Sequence, residues 1–494
     1  MEKKKILMIT SEAVPYAKTG GLADVVSALA LELARKGHDV RLLLPRYYRI
    51  DRSKLECHPQ PLSVWMNGKE EWTGVYETVL EDGGASCPVY FLDHEFYFGR
   101  DGIYGHRMDE GFSDNAARYA LLCRGTFQLC RMLHWIPDVF HCHDWAAAPV
   151  CYLLQKEEKY REFGRSISVL TIHNLGYQGK FGLDEARYIQ QEMDSYHLST
   201  LEFEGDLNYL KAGIMSAHKL TTVSPTYAQE IQGEEQGFRL NGLLHYRRED
   251  LTGILNGIDY NIWNPAKDKY LGDNTFTPDN IRPKAKLKGH VQKTMGLPVD
   301  SKVPLVGIIT RLVDQKGIQE MFSPGKGAMF NICRDMDVQF AILGSGDAWC
   351  EEEISRLSEK LPNLGVYIGY NNELAHNIEA GCDFFLMPSR YEPCGLNQIY
   401  SLAYGTLPIV RATGGLADTV ENYDQKKGEG TGFTFYDLYP EVLYNVMKWV
   451  VETWYERRPH IRKMRKRAME RHFSWPMAAE EYEMVYEEGV KKIY

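Results

Sequence analysis

The chain reads as an α/β protein of two Rossmann-like halves, and three features of the sequence predict this. Short apolar runs alternate with helical patterns along both halves. The first run is followed by a glycine pair, Gly20-Gly21, and then by an amphipathic stretch. Most runs in the second half are apolar throughout rather than alternating, as parallel strands covered by helices on both faces require.

The opening unit is a strand over residues 5–10, a loop holding Lys18-Thr19-Gly20-Gly21, and a helix. Leu22, Val26, Leu29 and Leu33 recur about one turn apart, and Gly37 can end that helix. A second strand, 40–44, completes a βαβ unit with a glycine-rich first turn. Further runs follow at 139–141, 168–172 and 219–223, while 51–111 is irregular and rich in aromatic and charged residues. A second βα series starts near Gly253, with strands expected at 304–310, 338–343, 366–368, 383–387 and 407–410. The polar segment 267–289 reads as a surface excursion or part of a linker.

A chain of 494 residues exceeds one ordinary core. The expected division is 1–250 and 251–475, with the helical tail 476–494 able to pack back on the first domain. Thr19-Gly20-Gly21-Leu22-Ala23-Asp24 is echoed by Thr413-Gly414-Gly415-Leu416-Ala417-Asp418. Duplication and convergence on one strand-Gly-Gly-helix turn account for this echo equally well.

Composition excludes several classes. Hydrophobic residues at 44% and charged residues at 25% are ordinary for a globular protein. No apolar run of about 18 residues offers a membrane span. The run Ile6–Ile9 behind the basic N-terminus is too short for a signal peptide, so a cytoplasmic location is expected. Ten scattered cysteines without a Cys-x-x-Cys pair agree with that. His141-Cys142-His143 has strand-like neighbours and no second ligand cluster, so no metal is expected there. A net charge of −10 without a basic stripe argues against a nucleic-acid partner and permits a neutral polymer.

Ligands of open parallel sheets bind outside the carboxyl ends of the strands. Lys18, Gly20 and Gly21 follow the first strand, Asp144 and Trp145 the 139–141 strand, and His173 and Asn174 the 168–172 strand. In the second half, Arg311 and Lys316 follow the 304–310 strand, Gly344 to Asp347 the next, and Ser389 to Gly395 the 383–387 strand. If the halves face each other, these loops line one cleft. Two cations bracketing a short turn that ends in Gly317 suit a diphosphate and need no metal. Glu392 precedes a helix led by Gly395, whose amides favour an anion. Gly20-Gly21 lacks the dinucleotide spacing Gly-x-Gly-x-x-Gly. Asp335-Met336-Asp337 is formally Asp-x-Asp, but it precedes its strand, at the wrong end for the site.

With these residues in view, the sequence resembles the bacterial glycogen synthase and plant starch synthase family nearly end to end. The resemblance rests on six ordered motifs. Three are Lys18-Thr19-Gly20-Gly21-Leu22-Ala23-Asp24, His143-Asp144-Trp145 and Thr171-Ile172-His173-Asn174. The others are Leu255-Asn256-Gly257-Ile258-Asp259, Arg311-Leu312-Val313-Asp314-Gln315-Lys316-Gly317 and Pro388-Ser389-Arg390-Tyr391-Glu392-Pro393-Cys394-Gly395-Leu396.

The resemblance implies a GT-B fold, an ADP-glucose donor, the non-reducing end of an α-1,4-glucan as acceptor, retention of configuration, and no cofactor or catalytic metal. It implies that Arg311 and Lys316 hold the diphosphate, helped by backbone amides near Gly20, Gly21 and Gly395, Leu396 and Asn397, beside Cys394. Lys18 would stand beside the phosphates and the transferred glucose, with Asp24 on the donor side of the cleft. Glu392, Asp144, Asn256 and His173 would surround the sugar, and Tyr370 would stack on the adenine. Front-face attack, with the departing phosphate helping to deprotonate the acceptor hydroxyl, is consistent with this family. Two departures stand out: Asn397 replaces the family's usual threonine, and Pro324-Gly325 interrupts the helix expected after Gly317. A UDP-glucose-using relative and a glucan-binding regulator without catalysis are the competing readings.

Overall fold

The first apolar run forms strand β1 (Lys5–Ile9), and the amphipathic segment behind it forms a helix over Gly21–Arg35. The computed structural model describes residues 2–106, 110–156, 162–190 and 199–493. Leu22, Val26, Leu29 and Leu33 are all buried in the core that this helix shares with β1. Gly37 ends the helix at φ 94°, its N–H donating to Ala34 O while that of His38 donates to Leu33 O. This is the Schellman closure, which needs a left-handed residue at that point.

The chain forms two units, Met1–Gly257 with Trp475–Tyr494, and Ile258–Ser474. The division thus falls a little beyond position 250.

In the first unit, β2 (Asp39–Pro45), β3 (Glu56–Cys57), β4 (Leu62–Met66), β5 (Lys69–Asp82) and β6 (Ala85–Asp93) follow β1. Then come β7 (Val139–His143), β8 (Ile167–Ile172), a small antiparallel sheet of β9 (Lys180–Gly182), β10 (Glu202–Phe203) and β11 (Asp206–Asn208), and finally β12 (Lys219–Thr222) and β13 (Leu251–Gly253). The main sheet has the order β13-β12-β8-β7-β1-β2-β6-β5-β3. It is parallel from β13 to β6 and antiparallel beyond. The irregular stretch 51–111 therefore contains a long hairpin. Its turn is Gly83-Gly84, at φ 54° and 85°, the two left-handed positions that a tight hairpin turn demands.

The second unit holds a wholly parallel sheet of β14 (Leu305–Leu312), β15 (Gln339–Gly346), β16 (Leu364–Ile368), β17 (Phe384–Met387), β18 (Leu407–Arg411) and β19 (Phe433–Phe435). Their order is β16-β15-β14-β17-β18-β19. In each main sheet the chain winds one way from its first strand and then the other. The reversal opens a crevice between β1 and β7 in one unit and between β14 and β17 in the other, where doubly wound sheets bind ligands.

Segment 267–289 is neither a linker nor a loose excursion. Asp268, Leu271, Phe276, Lys284, Leu287 and Lys288 are buried in the second unit. Asp268 binds His376 Nδ1 at 2.7 Å and accepts from Tyr404 Oη at 2.6 Å. Lys284 donates to Ala380 O at 2.7 Å and Thr406 Oγ1 at 2.6 Å, and burial pushes its ammonium down to about 7. Lys288 pairs with Asp383 at 2.7 Å. Low hydropathy concealed this burial because the charges are satisfied internally.

The expected helix break is present. One helix spans Ile318–Phe322 and the next Ala328–Asp335, with Gly325 at φ 69° between them. Met321, Phe322, Met329 and Ile332 nonetheless enter one core, so the break redirects the chain without exposing its apolar face. The last helix, Trp475–Lys491, places Trp475, Ala479, Tyr482 and Tyr486 in the core of the first unit. Glu483 there binds His38 at 2.8 Å and Lys36 at 3.0 Å.

Candidate active site

In the second unit, the β14–β17 crevice holds a cavity of about 190 Å³. Its lining includes Thr310 and Arg311 from the end of β14, Lys316 from the turn after it, and Ser389, Glu392, Gly395, Leu396 and Asn397 from the loop after β17. Lys316 Nζ donates to Glu392 Oε2 at 2.5 Å, and Ser389 Oγ donates to the same oxygen at 2.9 Å. Glu392 is 6% exposed, so these donors offset the cost of burying its charge.

The loop is shaped by close backbone contacts. Gly317, at φ 73°, would drive a Cβ to 2.2 Å from Pro388 O. A Cβ on Gly414 would stand 2.0 Å from Glu392 O, and one on Gly415 2.0 Å from Cys394 O. Gly415 N–H donates to Glu392 O at 3.1 Å. Arg411 Nη1 donates to Arg390 O, which ties the loop to β18. Asn397 Nδ2 donates to Ile309 O at 2.8 Å, so the side chain in the unusual position braces β14. Cys394, within the loop, is buried. Tyr370 stands outside the cavity lining, 83% exposed, after Gly369 and beyond β16.

In the first unit, candidate residues gather at the β1–β7 crevice and at the adjoining end of β8. Lys18 Nζ pairs with Asp24 at 2.8 Å, both side chains open to solvent. Gly20 precedes the first helix in an extended conformation (φ −149°), and a Cβ there would meet nothing within 4 Å among the described residues. The two halves of the Thr-Gly-Gly echo thus differ: Gly414 and Gly415 are required by packing, whereas Gly20 is required by neither packing nor backbone angle.

Asp144 follows β7 at φ 57°, a left-handed position that aspartate tolerates. Its Oδ1 accepts the N–H of His173 at 2.8 Å and of Asn174 at 3.4 Å, joining the ends of β7 and β8. Burial pushes its carboxyl up to about 7, against those hydrogen bonds, and the charge of Glu12 adds to the rise. His143 Nδ1 and His173 Nε2 are 3.0 Å apart. Burial holds His143 well below its ordinary value and His173 down to about 3, so both imidazoles are neutral near pH 7. His141 Nε2 meets Thr171 Oγ1 at 2.6 Å, and its Nδ1 meets Tyr486 Oη at 2.9 Å. His141 and His143 are thereby interior strand residues with protein partners. Asn256 is buried at the end of the first unit with Oδ1 lacking a hydrogen-bond partner among the described residues.

Asp335 and Asp337 lie at the amino end of β15, away from the crevice, bound to Arg334 and to Tyr455. Glu12 was missed by sequence reasoning. Its carboxylate accepts Thr19 N–H at 2.5 Å, Thr19 Oγ1 at 2.7 Å and Gly20 N–H at 3.3 Å. Its position three residues beyond β1 was the available signal, since carboxyl ends of strands were already the places to inspect.

Two family models match the chain: the starch synthase catalytic domain over residues 5–246 and glycosyl transferases group 1 over residues 295–471. A glycogen synthase from Treponema denticola is 52% identical over 488 residues, covering 99% of both chains. A glycogen synthase 1 from Geobacter metallireducens is 43% identical, covering 100% of this chain and 97% of its own. Among solved structures, the catalytic domain of starch synthase IV from Arabidopsis thaliana, bound to ADP and acarbose, is similar with a TM-score of 0.87. It is 30% identical and covers 99% of this chain and 100% of its own. A sucrose-phosphate synthase from Thermosynechococcus elongatus matches in fold, at 16% identity, 98% and 99% coverage and a TM-score of 0.59.

Proposed function

The chain belongs to the glycogen and starch synthase family of GT-B glycosyltransferases, and from that premise we propose that it extends α-1,4-glucan from ADP-glucose with retention of configuration. The observation that carries the reading is the Lys316–Glu392 pair beside Arg311 in the β14–β17 crevice. The reaction releases a nucleoside diphosphate, and its transition state gains charge on the departing phosphate. A guanidinium and an ammonium fixed in one cavity stabilise that charge without reorganising. The family resemblance assigns the same two cations to the diphosphate.

In this reading Gly395, Leu396 and Asn397 present backbone amides to the phosphates, and Cys394 stands beside them. Glu392 has one oxygen committed to Lys316 and Ser389, so it orients the cation and leaves its other oxygen for the sugar. Tyr370, exposed and unburdened by packing, supplies a face for the adenine. From the first unit, Lys18 and Asp24 serve the donor, and the open space at Gly20 leaves room for a bound group. His173, Asp144 and Asn256 serve the glucose. The neutral His173 acts as a hydrogen-bonding group, not as a cation. The second unit takes the nucleotide, and the first takes the acceptor and contributes to the glucose of the donor.

The test is an assay of ADP release from ADP-glucose, with UDP-glucose as competitor donor and glycogen as primer, followed by analysis of the new linkage. Primer-dependent ADP release with a new α-1,4 bond is the expected result. Glycogen binding without ADP release would overturn the reading.

A further inference from the structure

We infer that Glu12 is the positioning residue of the Lys18 loop. This rests on the role proposed for Lys18. Glu12 is 2% exposed, and a carboxyl group so buried needs hydrogen-bond partners to offset the loss of water. It takes two consecutive backbone N–H groups, those of Thr19 and Gly20, together with the Thr19 hydroxyl. The fourth donor is Tyr104 Oη at 2.8 Å, which also contacts Ser11 Oγ at 2.6 Å.

Two adjacent amides aimed at one carboxylate restrict the backbone angles between Lys18 and Gly21. Lys18 has no comparable anchor of its own: its side chain is half-exposed and meets Asp24 at the surface. Its direction is therefore set from behind, through the loop. The same bonds determine what the loop offers a ligand. The N–H groups of Thr19 and Gly20 are engaged inward, so phosphate contact from this loop falls to Lys18 and to the Gly21 amide. In this proposal the Gly20 amide holds the loop, and the diphosphate is met by its neighbours.

The experiment combines Glu12→Leu, Tyr104→Phe and Thr19→Val with Lys18→Ala. Turnover and KM for ADP-glucose are read by ADP release, and amide hydrogen exchange is read over the peptide carrying Thr19 and Gly20. Glu12→Leu keeps much of the side-chain bulk and removes the oxygen that accepts both backbone N–H groups. It is expected to lower kcat by about 10²-fold, the scale of losing one preorganised contact, while KM for glycogen stays unchanged. Exchange at the Thr19 and Gly20 amides is expected to rise. In the Lys18→Ala background the same change should cost less than about threefold, because residues acting as one unit are not additive. Tyr104→Phe and Thr19→Val each remove one donor, keep both amide bonds, and should give losses of about threefold to tenfold. They test the inference even if Glu12→Leu does not fold. A full, multiplicative loss in the Lys18→Ala background, or unchanged amide exchange, would overturn it. Near-normal turnover of Lys18→Ala alone would instead sink the role of Lys18, with the exchange measurement still deciding the clamp.

Discussion

Lys316 Nζ and Glu392 Oε2 lie 2.5 Å apart in the crevice between β14 and β17, and neither side chain is free to turn away. Removing the cation takes away transition-state stabilisation and also strands a buried carboxylate. Lys316→Ala is expected to lower kcat by about 10²–10³-fold, and Arg311→Ala by a similar factor. The measurement is steady-state ADP release, and near-normal turnover in either variant would contradict the assignment.

The glycines of the two Thr-Gly-Gly motifs should respond in opposite ways. Gly20→Ala adds a methyl to open space in an extended backbone, so its melting temperature should be unchanged or slightly raised while KM for ADP-glucose increases. Gly414→Ala forces a Cβ against Glu392 O at φ 45°, and should destabilise the protein by about 3 kcal/mol or more. Thermal melts beside donor titrations separate the two cases.

Asp144 predicts a particular dependence of stability on pH. Its carboxyl is raised from 3.8 to about 7, so the folded protein binds a proton that the unfolded chain has released. The stability this contributes is complete below about pH 4 and is lost as pH rises through about 7. Asp144→Asn keeps an oxygen for the His173 N–H, tolerates the left-handed backbone and cannot ionise. The melting temperature of the wild type relative to Asp144→Asn should therefore fall between pH 5 and pH 8. A constant difference across that interval would refute the assignment.

The C-terminal helix should behave as part of the first unit. Tyr486→Phe removes one of the two partners of the interior His141 and is expected to cost about 1–3 kcal/mol. Deleting residues 475–494 strips Trp475, Ala479, Tyr482 and Tyr486 from that core, and should leave the first unit unfolded by circular dichroism and by hydrogen exchange.

The sheets were legible because buried parallel strands are continuously apolar, and β14, β15 and β18 stand close to where their runs lie. The Lys316 and Glu392 loops were legible because polar residues at carboxyl strand ends are conspicuous. Segment 267–289 was not: Lys284 and Lys288 look like surface residues until the carbonyls and the Asp383 carboxylate that surround them are known. The long hairpin of β5 and β6 was hidden for another reason. One of its faces stays partly open, so aromatic and charged residues dilute the alternation. Glu12 escaped notice because a single glutamate has no pattern, and its partners are two backbone amides and the hydroxyls of Thr19 and Tyr104.

Residues Ile258 and Ser474, where the chain enters and leaves the second unit, form a β-bridge with each other, and Ile258 N–H donates to Phe473 O at 3.0 Å. The second unit is therefore an insertion whose two ends meet. Residues 1–257 are made first yet lack the helix that closes their core until 475–494 are added, while 258–474 form one uninterrupted stretch. The earlier-made unit must wait, with part of its core uncovered, for a segment that is made after the whole of the second unit. Chain termination shortly before the end should consequently damage the oldest part of the polypeptide most.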